Sequence, residues 1–156
     1  MKINLLGHRR HSMWLTIFTG LFALRVAGQL TTAFIDVGFL PLFANWSSGI
    51  LPYPLLLPLQ LLLLVTMAAI VRDVTRGTGF FATLPPHSGR IMQRLAYIYA
   101  TAMVVRYVVM MSLHPQLRWF TGTTPIWFHF VLATFLFTLG HFHKSRTNRP
   151  EGLPPA

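Results

Sequence analysis

Residues 13–34 read MWLTIFTGLFALRVAGQLTTAF, and this stretch decides the class of the protein. A helix of about 20 apolar residues crosses the hydrocarbon core of a bilayer. The stretch is long enough to do so, and its one charged residue is Arg25. Since a charge at Arg25 would interrupt the apolar core of a cleavable secretory signal, we interpret the stretch as a membrane-spanning helix.

Three further stretches have the same character, at about 51–71, 91–113 and 125–142. The chain has 156 residues, of which 53% are hydrophobic and 10% charged, with a mean hydropathy of +0.54. Those values exceed what a soluble domain of this size shows, and the segments outside the stretches are too short for a second domain. The sequence predicts an all-α integral membrane protein, a single domain over residues 1–156 with four transmembrane helices in an up-down bundle.

The basic residues predict the orientation, because Lys and Arg near helix ends are retained on the cytoplasmic side. Within the predicted helices lie Arg25 and Arg106, and Arg118 alone falls in a loop on the outer side. All other basic residues fall on one side: Lys2, Arg9, Arg10, Arg72, Arg76, Arg90, Arg94, Lys144, Arg146 and Arg149. We therefore expect both termini in the cytoplasm and a multi-pass protein of the inner (plasma) membrane.

The net charge of +10 follows from this excess of basic residues on the cytoplasmic side. It predicts contact with anionic lipid headgroups at the cytoplasmic face and is a poor argument for nucleic-acid binding. Small residues at Gly20, Ala27 and Thr31 share one face of the first helix, which permits close packing with a partner membrane protein or a second copy of the chain.

Several chemistries are excluded by composition. The chain has no cysteine, so thiol-disulfide exchange, iron–sulfur clusters and thiolate zinc sites require ligands that it lacks. Only three acidic residues are present, which leaves little for carboxylate metal sites or paired-carboxylate hydrolysis. No motif that names a reaction occurs, and we expect no independent catalytic activity.

Polar residues recur along one face of the first helix. Arg25, Gln29, Thr32 and Asp36 follow one another at spacings of four, three and four residues, which places them on the same side of a helix. A charged residue inside a membrane costs roughly 2.5 to 3.5 kcal/mol on insertion scales, so this face is expected to point into the bundle. Asp36 is the acidic residue that we expect to offset Arg25.

The other helices offer matching polar residues. Tyr99 and Arg106 are roughly aligned on the third helix, Gln60 follows Pro58 in the second, and His129 lies about one turn inside the fourth. The sequence thus predicts a polar pocket in the outer half of the bundle, with these ligand-binding candidates: Arg25, Gln29, Asp36, Gln60, Tyr99, Arg106 and His129.

One positive charge of the two arginines would remain after pairing with Asp36. Two readings stay open for Arg106. Its side chain reaches outward to lipid headgroups, or the pocket receives an anionic or carbonyl-bearing group from a lipid, a haem propionate, a quinone or another subunit.

The histidines offer a weaker signal for haem. His129 and His143 are fourteen residues apart, which returns to nearly the same helix face about 21 Å further along and suits two stacked haems. The third helix supplies only His114, at its end, as a partner ligand. We expect His141 and His143, which precede Lys144, to lie at a wet interface.

These observations favour a small multi-pass inner-membrane protein with an outward-half polar pocket that acts as a binding or accessory subunit of a membrane complex. The alternative is a redox subunit that binds quinone or haem through His129 and the two arginines.

Overall fold

The computed structural model describes residues 2–34, 53–85, 87–113 and 124–147. These ranges contain no strand and four helices: α1 (Lys2–Phe34), α2 (Tyr53–Arg76), α3 (Ser88–Leu113) and α4 (Thr124–Thr147). Each helix is long and apolar enough to cross a membrane. The prediction of an all-α protein with four membrane-spanning helices is confirmed to this extent.

Each helix extends beyond its apolar stretch, and the four extensions lie at the same end of the bundle. α1 already starts at Lys2, α2 continues to Arg76, α3 starts at Ser88 and α4 continues to Thr147. Backbone hydrogen bonds can continue a helix beyond its apolar residues. In the extra turns, the alkyl parts of Lys and Arg side chains can lie along the helix while their charged groups remain exposed. The exposed basic residues of these turns define what we call the basic end: Arg9, Arg10, Arg72, Arg76, Arg90, Arg94 and Lys144.

α1 packs against both α2 and α4. Against α2, the hydroxyls of Ser12 and Thr75 lie 2.6 Å apart at the basic end, and Gln29 lies against Gln60 further along. Residue numbers rise along one helix as they fall along the other, so the pair is antiparallel.

α4 lies between α1 and α3 and is antiparallel to both. On the α1 side, His11 stacks on His141 with ring centroids 5.3 Å apart, whereas Arg25 lies over Phe128. The α3 side shows the same order of contacts, since Gly89 adjoins Gly140 near the basic end and Tyr97 packs on Phe137 nearer the middle.

An apolar core joins α1, α2 and α4. Its buried members are Leu15, Phe22, Val26, Met67, Ile70, Val74, Phe135, Leu139 and Phe142. From α3, Met92 packs against this core, whereas much of the rest of that helix exposes large apolar side chains such as Ile98 and Val105. That outer surface is suited to contact with lipid.

The crossing of α3 and α4 depends on two glycines. A Cβ atom added to Gly89 would lie 2.8 Å from both the Gly140 carbonyl oxygen and the Lys144 amide nitrogen. One added to Gly140 would meet the Gly89 carbonyl oxygen at the same 2.8 Å. Small residues allow membrane helices to approach this closely, which offsets the absence of a hydrophobic driving force within lipid.

A buried carboxylate organises the segment that follows α2. Asp73 accepts hydrogen bonds from the Arg72 side chain, at 3.1 and 3.2 Å, and from the Phe81 backbone amide at 3.3 Å. A Cβ at Gly79 would collide with the same carboxylate, and the φ of 104° there also favours glycine. Asp73 therefore fixes this turn against the basic end.

Candidate functional site

Arg25 is the buried cation of α1. Its side chain is 8% exposed, and its guanidinium carbon lies 5.3 Å from the centroid of the Phe128 ring. This is a cation–π contact, which stabilises a desolvated charge by about 2 kcal/mol but supplies no hydrogen-bond acceptor. Phe128 was missed at the sequence level, because nothing distinguishes it from the other phenylalanines of the chain.

Gln29 and Gln60 form a buried pair between α1 and α2. They are 1% and 6% exposed, and Nε2 of Gln60 donates a hydrogen bond of 3.0 Å to Oε1 of Gln29. Gln29 lies one helical turn from Arg25, so the two share the inward face that the sequence predicts.

Three buried polar atoms of this region have no hydrogen-bond partner among the described residues: Arg25 Nε, Gln29 Nε2 and Gln60 Oε1. If the oxygen and nitrogen atoms of both side-chain amides were interchanged, the pair would still form one hydrogen bond. One donor and one acceptor of the two amides would again remain unpaired. A buried donor without an acceptor costs about 1–3 kcal/mol, and more when it is charged. Arg25 and the glutamine pair therefore have hydrogen-bonding capacity that the described residues leave unused.

A second polar pair lies between α3 and α4. The Tyr99 hydroxyl and His129 Nδ1 are 2.5 Å apart, with the two rings nearly perpendicular at 80°. Both side chains lie within electrostatic range of Arg25 and Arg106. Arg106 itself is half-buried on α3.

The acidic residues do not neutralise Arg25 within the part of the chain that the structure describes. Asp73 pairs with Arg72 at the basic end. Asp36, the expected counterion, lies outside the described residues. α1 runs on from Arg25 to Phe34, about 13 Å of helix rise.

The structure thus brings most of the predicted candidates to one region, which we call the Arg25 site: Arg25, Gln29, Gln60, Tyr99, Arg106 and His129. Thr32, on the same predicted face, donates its hydroxyl to the Gly28 carbonyl at 3.1 Å instead. Three cavities lined by described residues lie elsewhere. Ligand binding at the Arg25 site stays a prediction.

The histidines differ from the expected arrangement. His141 is exposed, but His143 is only 4% exposed and its Cβ lies against Gly89 of α3. The expectation of a wet interface is wrong for His143, because the glycine crossing draws α3 over it. Backbones this close leave no room for a porphyrin plane between α3 and α4 at that level. No cluster of three metal-binding side chains occurs among the described residues.

The chain matches no protein-family model, no curated protein and no solved structure.

Proposed function

We propose that this protein is a binding or accessory subunit of a membrane complex, which holds an anionic or carbonyl-bearing group at the Arg25 site within the outer half of the bilayer. The group is a lipid headgroup, a quinone, or an acidic side chain of a partner or second copy. Each provides the oxygen acceptors that Arg25 and Gln29 lack.

The proposal includes an up-down arrangement with both termini in the cytoplasm of a bacterial-type inner membrane. The antiparallel contacts of neighbouring helices support that arrangement, and the shared basic end supports the orientation. Reporter fusions test it. Alkaline phosphatase is expected to be inactive after Ala156 and active after Gly49; activity after Ala156 would contradict the orientation.

The observation that carries the proposal is the pair of buried donors, Arg25 Nε and Gln29 Nε2, one turn apart on α1 and without acceptors among the described residues. In a low dielectric an oxygen atom bound between them gains charge-assisted hydrogen bonds. Arg106, Tyr99 and His129 nearby add positive potential and a hydroxyl–imidazole pair.

The experiment is mass spectrometry of the molecules that co-purify with the protein in mild detergent. Wild type is compared with Arg25→Gln, with Arg106→Gln and with the control Arg94→Gln, which removes an exposed charge at the basic end. We expect Arg25→Gln to lose the bound molecule or subunit, and Arg94→Gln to keep it. Equal retention in all variants, with the fold intact by circular dichroism, would contradict the proposal.

Arg106→Gln distinguishes the two readings of that residue. Loss of the bound molecule assigns Arg106 to the site, whereas retention assigns it to the lipid headgroups.

A redox subunit is the second candidate, and the Tyr99–His129 pair favours a quinone for it. A quinone carbonyl would accept from Arg25 and Gln29, and a hydroxyl–imidazole pair at 2.5 Å is suited to giving a proton to a quinone that takes its electrons from a redox centre of another subunit. Ubiquinone or menaquinone in the extract of wild type, but not of Arg25→Gln, would support this candidate. A Soret band in the absorption spectrum would instead indicate haem.

A further inference from the structure

A cavity of about 320 Å³ opens between α1 and α4 at the basic end, far from the Arg25 site. It is lined by Arg10, His11, Trp14, Phe137, Thr138 and His141. The lining combines a permanent cation, two imidazoles and a hydroxyl with two large aromatic rings. Such a combination is suited to a ligand that has both a polar and an apolar part.

The described residues around this cavity carry an excess of positive charge. Arg10 is exposed. Two further basic residues lie close to the cavity lining in sequence, Arg9 on α1 and Lys144 on α4. The carboxylate described at this end, Asp73, is 5% exposed and paired with Arg72, so it does not offset them. His11 and His141 stack with their ring centroids 5.3 Å apart, which places two imidazoles side by side at the cavity. Phosphate oxygens are the acceptors that arginine and imidazole donors prefer at such a site.

A mainly apolar groove shares a lining residue with the cavity. Phe137 also lines a second opening of about 180 Å³ between α3 and α4, nearer the middle of the helices. Its lining consists of the small residues Ala96, Ala100 and Ala133, the aromatic rings of Tyr97, Phe130 and Phe137, and Thr134. A groove lined by alanines and aromatic rings is suited to an unbranched hydrocarbon chain.

We propose that these two openings bind one anionic phospholipid. The phosphate lies among Arg10, His11 and His141, and one acyl chain passes Phe137 into the alanine groove. Charge complementarity selects an anionic over a zwitterionic headgroup, and the groove selects a long-chain lipid over free phosphate. This site is separate from the Arg25 site and does not depend on the proposed function.

Native mass spectrometry of the full chain in detergent micelles tests the headgroup contacts. Phosphatidylglycerol is titrated into wild type, the double variant Arg10→Gln/His141→Gln and the control Arg9→Gln, which removes an exposed charge outside the cavity lining. We expect at least about tenfold weaker binding in the double variant and less than about twofold in the control. Equal weakening in both would overturn the site in favour of diffuse attraction to the basic end, as would equally tight binding of phosphatidylcholine by wild type.

The groove is tested with Ala100→Leu, which fills it, against Ala68→Leu on the exposed surface of α2. Ala100→Leu is expected to weaken long-chain phosphatidylglycerol at least about fivefold and Ala68→Leu to leave it unchanged; circular dichroism checks that both variants fold. Short-chain dihexanoyl phosphatidylglycerol and inorganic phosphate are expected not to displace the long-chain lipid at equal concentration. Displacement by inorganic phosphate, or unchanged binding by Ala100→Leu, would overturn the phospholipid assignment.

Discussion

Asp73 and Arg25 are buried charged side chains in opposite halves of the described bundle, and their surroundings differ. At the basic end, the buried carboxylate of Asp73 accepts from both Arg72 and the Phe81 amide. Around Arg25, by contrast, buried donors have no acceptor in the described residues. Both environments exclude water, so an unmade hydrogen bond is costly in either. Asp73 therefore helps to build the fold, whereas the Arg25 site has hydrogen-bonding capacity that the described residues do not use.

Packing shows the same contrast. At the basic end, α3 and α4 approach through Gly89 and Gly140 until their backbones touch. In the other half the helices are joined instead by side chains, through Arg25 over Phe128 and the two hydrogen-bonded pairs. Substitutions at the basic end are therefore expected to change the stability of the fold most, and those at the Arg25 site to change binding most.

The largest loss of stability is expected at the glycine crossing. Gly140→Val introduces a branched side chain where even a Cβ lies 2.8 Å from the Gly89 carbonyl, so it is expected to cost about 3 kcal/mol or to separate α3 from α4. Gly20→Val is the control, because a Cβ there meets nothing within 4 Å. Reversible unfolding in mixed detergent micelles measures both; equal stability of the two variants would show that the crossing does not hold the helices together.

The glutamine pair is expected to have an intermediate effect. Either Gln29→Leu or Gln60→Leu leaves the partner amide buried and unpaired, at a cost of about 1–3 kcal/mol. The double variant is expected to be more stable than the sum of the single changes predicts, because no orphaned amide remains. A double-mutant cycle of unfolding free energies measures this coupling, and strict additivity would mean that the two side chains do not interact.

Tyr99→Phe is expected to have a smaller effect, about 1 kcal/mol, since it removes the hydrogen bond to His129 while leaving the ring in place. Tyr97→Phe on the same helix is the control, with an exposed ring that packs edge-on against Phe137. The same unfolding measurement compares them. A larger loss for Tyr97→Phe than for Tyr99→Phe would contradict the assigned contact.

The hydrophobic stretches and the spacing of polar residues predict the four helices and much of the Arg25 site. The spacing of Arg25 and Gln29 predicts a shared inward face, and the positions of Gln60, Tyr99 and His129 on the other helices predict polar neighbours for it. The sequence did not predict which side chains pair with each other, because pairing depends on helix rotation and vertical register. It also missed Phe128 and the burial of His143, since a cation–π contact and a glycine crossing have no periodic signal.

The central claim is that Arg25 is held for a ligand rather than for the fold, and its most direct test is the unfolding free energy of Arg25→Met in protein stripped of bound molecules. Methionine fills a similar volume without a charge. We expect the variant to be as stable as wild type or more stable, because the charge of Arg25 has no carboxylate partner among the described residues, and its desolvation penalty exceeds the stabilisation from the contact with Phe128. A loss of about 3–5 kcal/mol would contradict the claim, since it would mean that a carboxylate of the chain, such as Asp36, had been left unpaired.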